Sequence, residues 1–179
     1  MQLFDDRFTP SYDPRWHISE IGTGRVQHQP GAIHLTLPVS DHHSYSDAQI
    51  TDYDPSLRAF QYAPPLRLDV TARASYAASG LAGTAGFGFW NHAFAPNERG
   101  FRLPTALWFF FSSPHSQMPL ALDVPGAGWK AATFAPHPYR FAGLLPLALP
   151  GILLMRVPSL YRRLWPIGQR TLGVNETLL

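Results

Sequence analysis

Four groups of side chains in this sequence could do chemistry. Trp90, Asn91, His92 and Trp108 are the residue types that bind sugars: indole rings stack on C–H faces, and amide or imidazole groups fix hydroxyl orientation. Core packing competes for the same aromatics, most strongly for Phe87, Phe89 and Phe110. Ser112, Ser113, His115 and Gln117 follow an aromatic strand directly, where a sheet edge would present polar groups to a ligand. A Ser/His nucleophile would also need an elbow and an orienting acid, and neither is visible, so a polar turn at Pro114 is the simpler account. Asp41, His42, His43 and Asp47 offer oxygen and nitrogen donors, but adjacent residues on a strand point opposite ways. An exposed polar loop explains them, and neither a metal nor a cofactor is assigned. Asp52 and Asp54 would share a face of an extended strand, yet Pro55 ends it, so a solvated turn is favoured and no catalytic residue is assigned.

Strands must position these residues. From Phe4 to about Arg73 the apolar pattern has period two, with Ile33, Leu35 and Leu37 alternating with His34 and Thr36. The clearest alternation is Leu66 to Arg73, one face apolar and the other polar. A further strand is predicted from Tyr45 to Thr51. In Gly83 to Asn91, glycines alternate with aromatics, which lets another backbone, a ring or a ligand come close. Leu103 to Phe111 carries Trp108 and Phe110 on one face and Leu107, Phe109 and Phe111 on the other, so both faces are apolar and the second needs a cover. The Pro-interrupted apolar segment from Phe141 to Trp165 is the candidate cover, with short helical pieces at Ile152 to Met155 and Ser159 to Leu164, Ser159 acting as N-cap.

The chain has 179 residues, 45% of them hydrophobic and only 15% charged, which suits one domain with a core and argues against disorder. We expect a single domain over 1–179, with β-sandwich strands in 1–135 and a basic, apolar helical flap in 136–179. The formal net charge is only +2, with one lysine beside thirteen arginines, and carries no nucleic-acid footprint. Its distribution is uneven: no acid lies between Asp123 and Glu176, while Lys130, Arg140, Arg156, Arg162, Arg163 and Arg170 are all cationic. Cysteine is absent, so disulfides and thiolate zinc sites are excluded. Met1 to Arg7 has neither a basic nor an apolar leader region, and the cytoplasm is the expected compartment.

The succession Asp5-Asp6-Arg7-Phe8, Trp16, Gly31-Ala32-Ile33-His34-Leu35, Tyr45-Ser46-Asp47-Ala48-Gln49-Ile50 and Gly86-Phe87-Gly88-Phe89-Trp90-Asn91 resembles the concanavalin A-like lectin/glucanase superfamily over residues 1 to about 111. The resemblance implies an all-β fold, an antiparallel jelly-roll β-sandwich, and points to no particular family within it. Family 16 glycoside hydrolases of that superfamily carry Glu-x-Asp-x-Glu on one strand, and this motif is absent here. Members usually continue with further strands, whereas here the strand signal stops near Phe111 and Asn175 to Leu179 shows no closing strand. An incomplete sandwich, as a fragment or one completed by a partner chain, is therefore a further expectation.

The function expected is a non-catalytic binding module holding a carbohydrate or other amphipathic ligand on an aromatic concave face, through Trp90, Asn91, His92, Trp108, Ser112, His115 and Gln117. A glucanase-like hydrolase with unrecognised carboxylates is the enzymatic alternative. A third is a peripheral membrane protein, bound through residues 140–170 with Tyr161 and Trp165 at the interface and Arg162 and Arg163 toward headgroups. The flap is favoured over it, because the aromatic face independently requires a cover.

Overall fold

A computed structural model describes residues 4–9, 11–38, 44–52, 62–91, 103, 105–114, 120–144, 146 and 157–179. The chain divides into two compact units, Met1–Leu57 and Arg58–Leu179. Antiparallel strands dominate both, and the described α-helices are confined to the C-terminal third.

In the first unit, β1 (His17–Ile21) pairs with β4 (Asp47–Thr51), and β2 (Arg25–Gln29) pairs with β3 (Ala32–Thr36). The β2–β3 hairpin turns through Pro30 and Gly31, where Gly31 takes φ 84°, a conformation that costs a side-chain-bearing residue strain. Among its described residues, this unit buries no large apolar side chain. Hydrogen bonds order it instead: the Asp6 carboxylate accepts from the Phe8 amide at 2.7 Å, the Asp13 amide at 2.7 Å and the Trp16 indole at 2.8 Å. Trp16 in turn packs on Phe4, with ring centroids 4.9 Å apart.

The second unit holds the core. Strands β5 (Thr84–Trp90), β6 (Ala106–Ser112), β7 (Gly128–Phe134) and β8 (Val174–Leu178) form one antiparallel sheet in chain order. The register sets Gly88 opposite Trp108, Phe110 opposite Lys130 and Ala132 opposite Glu176. Directly paired residues share a face, so Trp90, Trp108, Phe110, Ser112, Lys130, Ala132, Val174 and Glu176 line one side. There Phe110, Ala132 and Val174 pack with Leu120 into a buried cluster, joined by Trp108, Phe134 and Leu172. The other side carries Phe87, Phe89, Leu107, Phe109, Phe111 and Trp129, with Phe111 buried and Trp129 half-exposed. The expectation that β6 is apolar on both faces therefore holds.

Among the described residues, two α-helices follow β7: α1 (Pro138–Leu144) and α2 (Pro158–Leu172). Val157 is the extended residue before α2 and Pro158 occupies its first turn, where the missing N–H would have no partner anyway. The helix ends at Gly173, in the left-handed region at φ 57°, whose amide returns to the Gln169 carbonyl. The chain then enters β8 directly. No helix among the described residues is long and apolar enough to cross a membrane.

Several expectations are corrected. Leu66 to Arg73 is extended but joins no described strand, and Leu68 and Val70 stay exposed, since alternation specifies a strand only where a partner supplies the ladder. The strand signal does not stop near Phe111: β7 and β8 follow. Strand β8 escaped notice because Glu176 sits at an inward position that alternation reserves for an apolar residue. Ser159 is not the cap of α2, and that helix continues past Leu164, through Pro166, to Leu172. The proposed helical piece at 152–155 lies outside the described residues.

Candidate functional site

Of the residues expected to bind ligand, the structure describes Trp90, Asn91, Trp108 and Ser112. Trp90 and Trp108 are neighbours, edge to face with centroids 6.2 Å apart, and Trp108 continues edge to face onto Phe110 at 6.3 Å. Trp108 thus belongs to the core packing, with its indole N–H buried and lacking a hydrogen-bond acceptor. Asn91 forms a structural clasp: its Nδ2 donates to the Leu103 carbonyl at 2.8 Å, and its Oδ1 accepts from the Thr105 amide at 2.7 Å. Both ends of the amide are engaged in closing the β5–β6 connection. Ser112 and Ser113 are fully buried, and Ser113 Oγ accepts from the Gly83 amide at 2.9 Å. His92, His115 and Gln117 lie outside the described residues.

The glycines of β5 answer the question of what comes close. A methyl group at Gly88 would run into the Leu107 carbonyl, and one at Gly86 into the Phe109 carbonyl and Phe110. The close neighbour is the β6 backbone, not a ligand. Asp47 pairs within β4 opposite Ile21, and Asp52 follows that strand at a bend. Asp41, His42, His43 and Asp54 lie outside the described residues.

Polar side chains gather elsewhere in the second unit. An open cleft of about 630 Å³ lies among α1, α2, β8 and the 121–123 loop, lined by Asp123, Arg140, Gln169, Arg170, Asn175 and Glu176. Its wall is held by one peptide group. The Leu120 carbonyl accepts from Trp165 Nε1 at 3.1 Å and Gln169 Nε2 at 2.5 Å, while the Ala121 amide donates to Glu176 Oε2 at 2.7 Å. That fixes the loop against both α2 and β8.

Glu176 reaches Ala121 from inside the sheet. Its other oxygen, Oε1, lies 3.1 Å from the Lys130 ammonium, and both side chains are fully buried. The contact is an ion pair without hydrogen-bond alignment, since neither Lys130 Nζ nor Glu176 Oε1 has a hydrogen-bond partner. Burial of two charges is tolerable only because each neutralises the other. Glu176 therefore meets the cleft through its main chain alone. Sequence reasoning missed this cleft, although the acid-free stretch between Asp123 and Glu176 was a signal for it: the fold folds that stretch back so that Arg140 and Arg170 face one concavity.

No family model, curated protein or solved structure matches this chain.

Proposed function

We propose that this protein is a non-catalytic binding module whose ligand, a carbohydrate or a similarly hydroxyl-rich molecule, sits in the cleft beside β8. The observation that supports it is the convergence of the Gln169 amide, the Asp123 carboxylate and the two arginines, from three separate elements, onto one concavity. Such groups pair with adjacent hydroxyls, donating to one and accepting from the next. The concanavalin A-like jelly-roll is the fold we propose with it; the antiparallel pairing and the double-sided apolar strand β6 support a layered sandwich, and the jelly-roll strand order rests on the sequence resemblance.

Hydrolysis of a glycosidic bond needs two carboxylates flanking it. Asp123 has no such companion in the cleft, because the Glu176 carboxylate is buried and paired with Lys130. The membrane-surface reading has less support as well: Trp165 donates inward to Leu120, and Tyr161 stacks on Trp165 at 5.7 Å, so the expected interfacial anchors face the protein.

A glycan panel titrated against the full chain, followed by amide NMR shifts, tests the proposal. Binding is expected to shift the backbone amides of Asp123 and Gln169 and to fall at least about tenfold in Asp123→Ala, while Trp90→Ala leaves it unchanged. Shifts confined to Trp90 and Trp108 would return the ligand to the aromatic strand pair.

A further inference from the structure

We propose that Arg140 and Arg170 form an anion-binding pair in this cleft, so that its ligand carries an oxyanion: a carboxylate, a sulfate or a phosphate. The inference rests on the cleft reading above and narrows the ligand class.

Charge balance carries it. Arg140 comes from α1 and Arg170 from the last turn of α2, two elements that pack side by side, and both side chains are exposed. Neither makes an ion pair or a hydrogen bond with any described residue. Of the two acids lining the cleft, Glu176 is sealed off by Lys130 and the Ala121 amide, its side chain 0% exposed. Asp123 alone opposes two guanidinium groups, and it pairs with neither. No acid occurs in the sequence from 124 to 175, and among the described residues lining the cleft Asp123 and Glu176 are the acids.

The ordinary explanation for a basic residue in a last turn is interaction with the helix C-terminal carbonyls. Here the Gly173 amide returns to the Gln169 carbonyl, and Arg170 donates to no helix carbonyl. Arg140 stands on a helix of seven residues, too short for a substantial dipole. Guanidinium forks match the two oxygens of a carboxylate, sulfate or phosphate, and a concave surface shields the contact more than an open face does.

The test is a calorimetric titration of the full chain with glucuronate, glucose, inorganic sulfate and inorganic phosphate at two salt concentrations, with Arg140→Gln, Arg170→Gln and, as control, Arg67→Gln. Arg67 is an exposed arginine paired with Asp69 at 2.9 Å, away from the cleft. All three positions are at the surface, and unchanged melting temperatures establish that each variant folds. The expected result is binding of glucuronate but not glucose, weakened by salt, reduced about tenfold or more by each cleft substitution and unaffected by Arg67→Gln. Arg170→Lys is expected to recover only part of the affinity, because the fork is lost while the charge stays. Sulfate or phosphate binding with the same arginine dependence, but no binding of any sugar, would uphold the anion pair and sink the carbohydrate reading. Glucose binding that is lost in Asp123→Ala but indifferent to both arginines would overturn the anion pair and leave the cleft reading standing. Failure of all the anions to bind, or equal losses in Arg67→Gln, overturns the pair.

Discussion

Trp165 and Glu176 hold opposite ends of a single peptide unit: the indole N–H donates to the Leu120 carbonyl at 3.1 Å, and Glu176 Oε2 accepts the Ala121 N–H at 2.7 Å. The helix α2 and the strand β8 are thereby joined through a loop that neither adjoins in sequence. Leu120 carries its side chain into the cluster with Phe110, Ala132 and Val174, so the same residue completes the core and anchors the loop that borders the cleft.

The buried ion pair behind Glu176 gives the first prediction. Glu176→Leu leaves the Lys130 ammonium uncompensated in the interior, and Lys130→Met leaves the carboxylate so; each is expected to cost about 3–5 kcal/mol in denaturant unfolding. The double variant Lys130→Met/Glu176→Leu should lose much less than the sum. Additive losses in the cycle would mean that the charges do not interact.

Acid sensitivity of the first unit follows from Asp6. Burial raises its pKa, but the amides of Asp13 and Phe8 and the Trp16 indole outweigh that, and the net position is below the ordinary value of 3.8. A depressed carboxylate contributes stability that is present above its unfolded pKa and lost as pH falls through the lower folded value. The Trp16 indole resonance is therefore expected to hold its native shift at about pH 5 and to lose it only as pH falls below the ordinary carboxylate range. In Asp6→Asn that resonance should be displaced already at neutral pH, at a stability cost of about 1–3 kcal/mol.

Asn91 distinguishes a clasp from a contact. Asn91→Ala strips partners from the Leu103 carbonyl and the Thr105 amide, and thermal or chemical melting should register a loss of about 1–3 kcal/mol. Ligand affinity, measured well below the lowered melting point, should stay as in the parent chain.

Gly88→Ala should reverse the usual sign of its class. Alanine normally favours a strand over glycine by about 0.5–1 kcal/mol. At Gly88 the added methyl meets the Leu107 carbonyl across the β5–β6 ladder, so a loss of about 1–3 kcal/mol is expected from equilibrium unfolding. A gain in stability would mean that the two strands lie further apart than described.

Much of the local structure is legible in the residues themselves. Alternation marks β3, β4, β5 and β6 to within two or three residues, because a strand half-buried in a sheet must repeat every second position. The run from Leu107 to Phe111 also announces a strand with two apolar faces, and composition announces a basic, acid-free C-terminal third. The tertiary structure decided the rest. It placed the inward Glu176 on the same sheet face as the sequence-distant Lys130, which compensates its charge, and it left Leu66 to Arg73 without a ladder despite a better pattern. It gave the amide of Asn91 to a backbone clasp and brought Arg140 and Arg170 from different helices to one cleft. Periodicity is a property of neighbours along the chain, whereas charge compensation, hydrogen-bond partnership and concavity depend on residues far apart in sequence, and only folding brings those together.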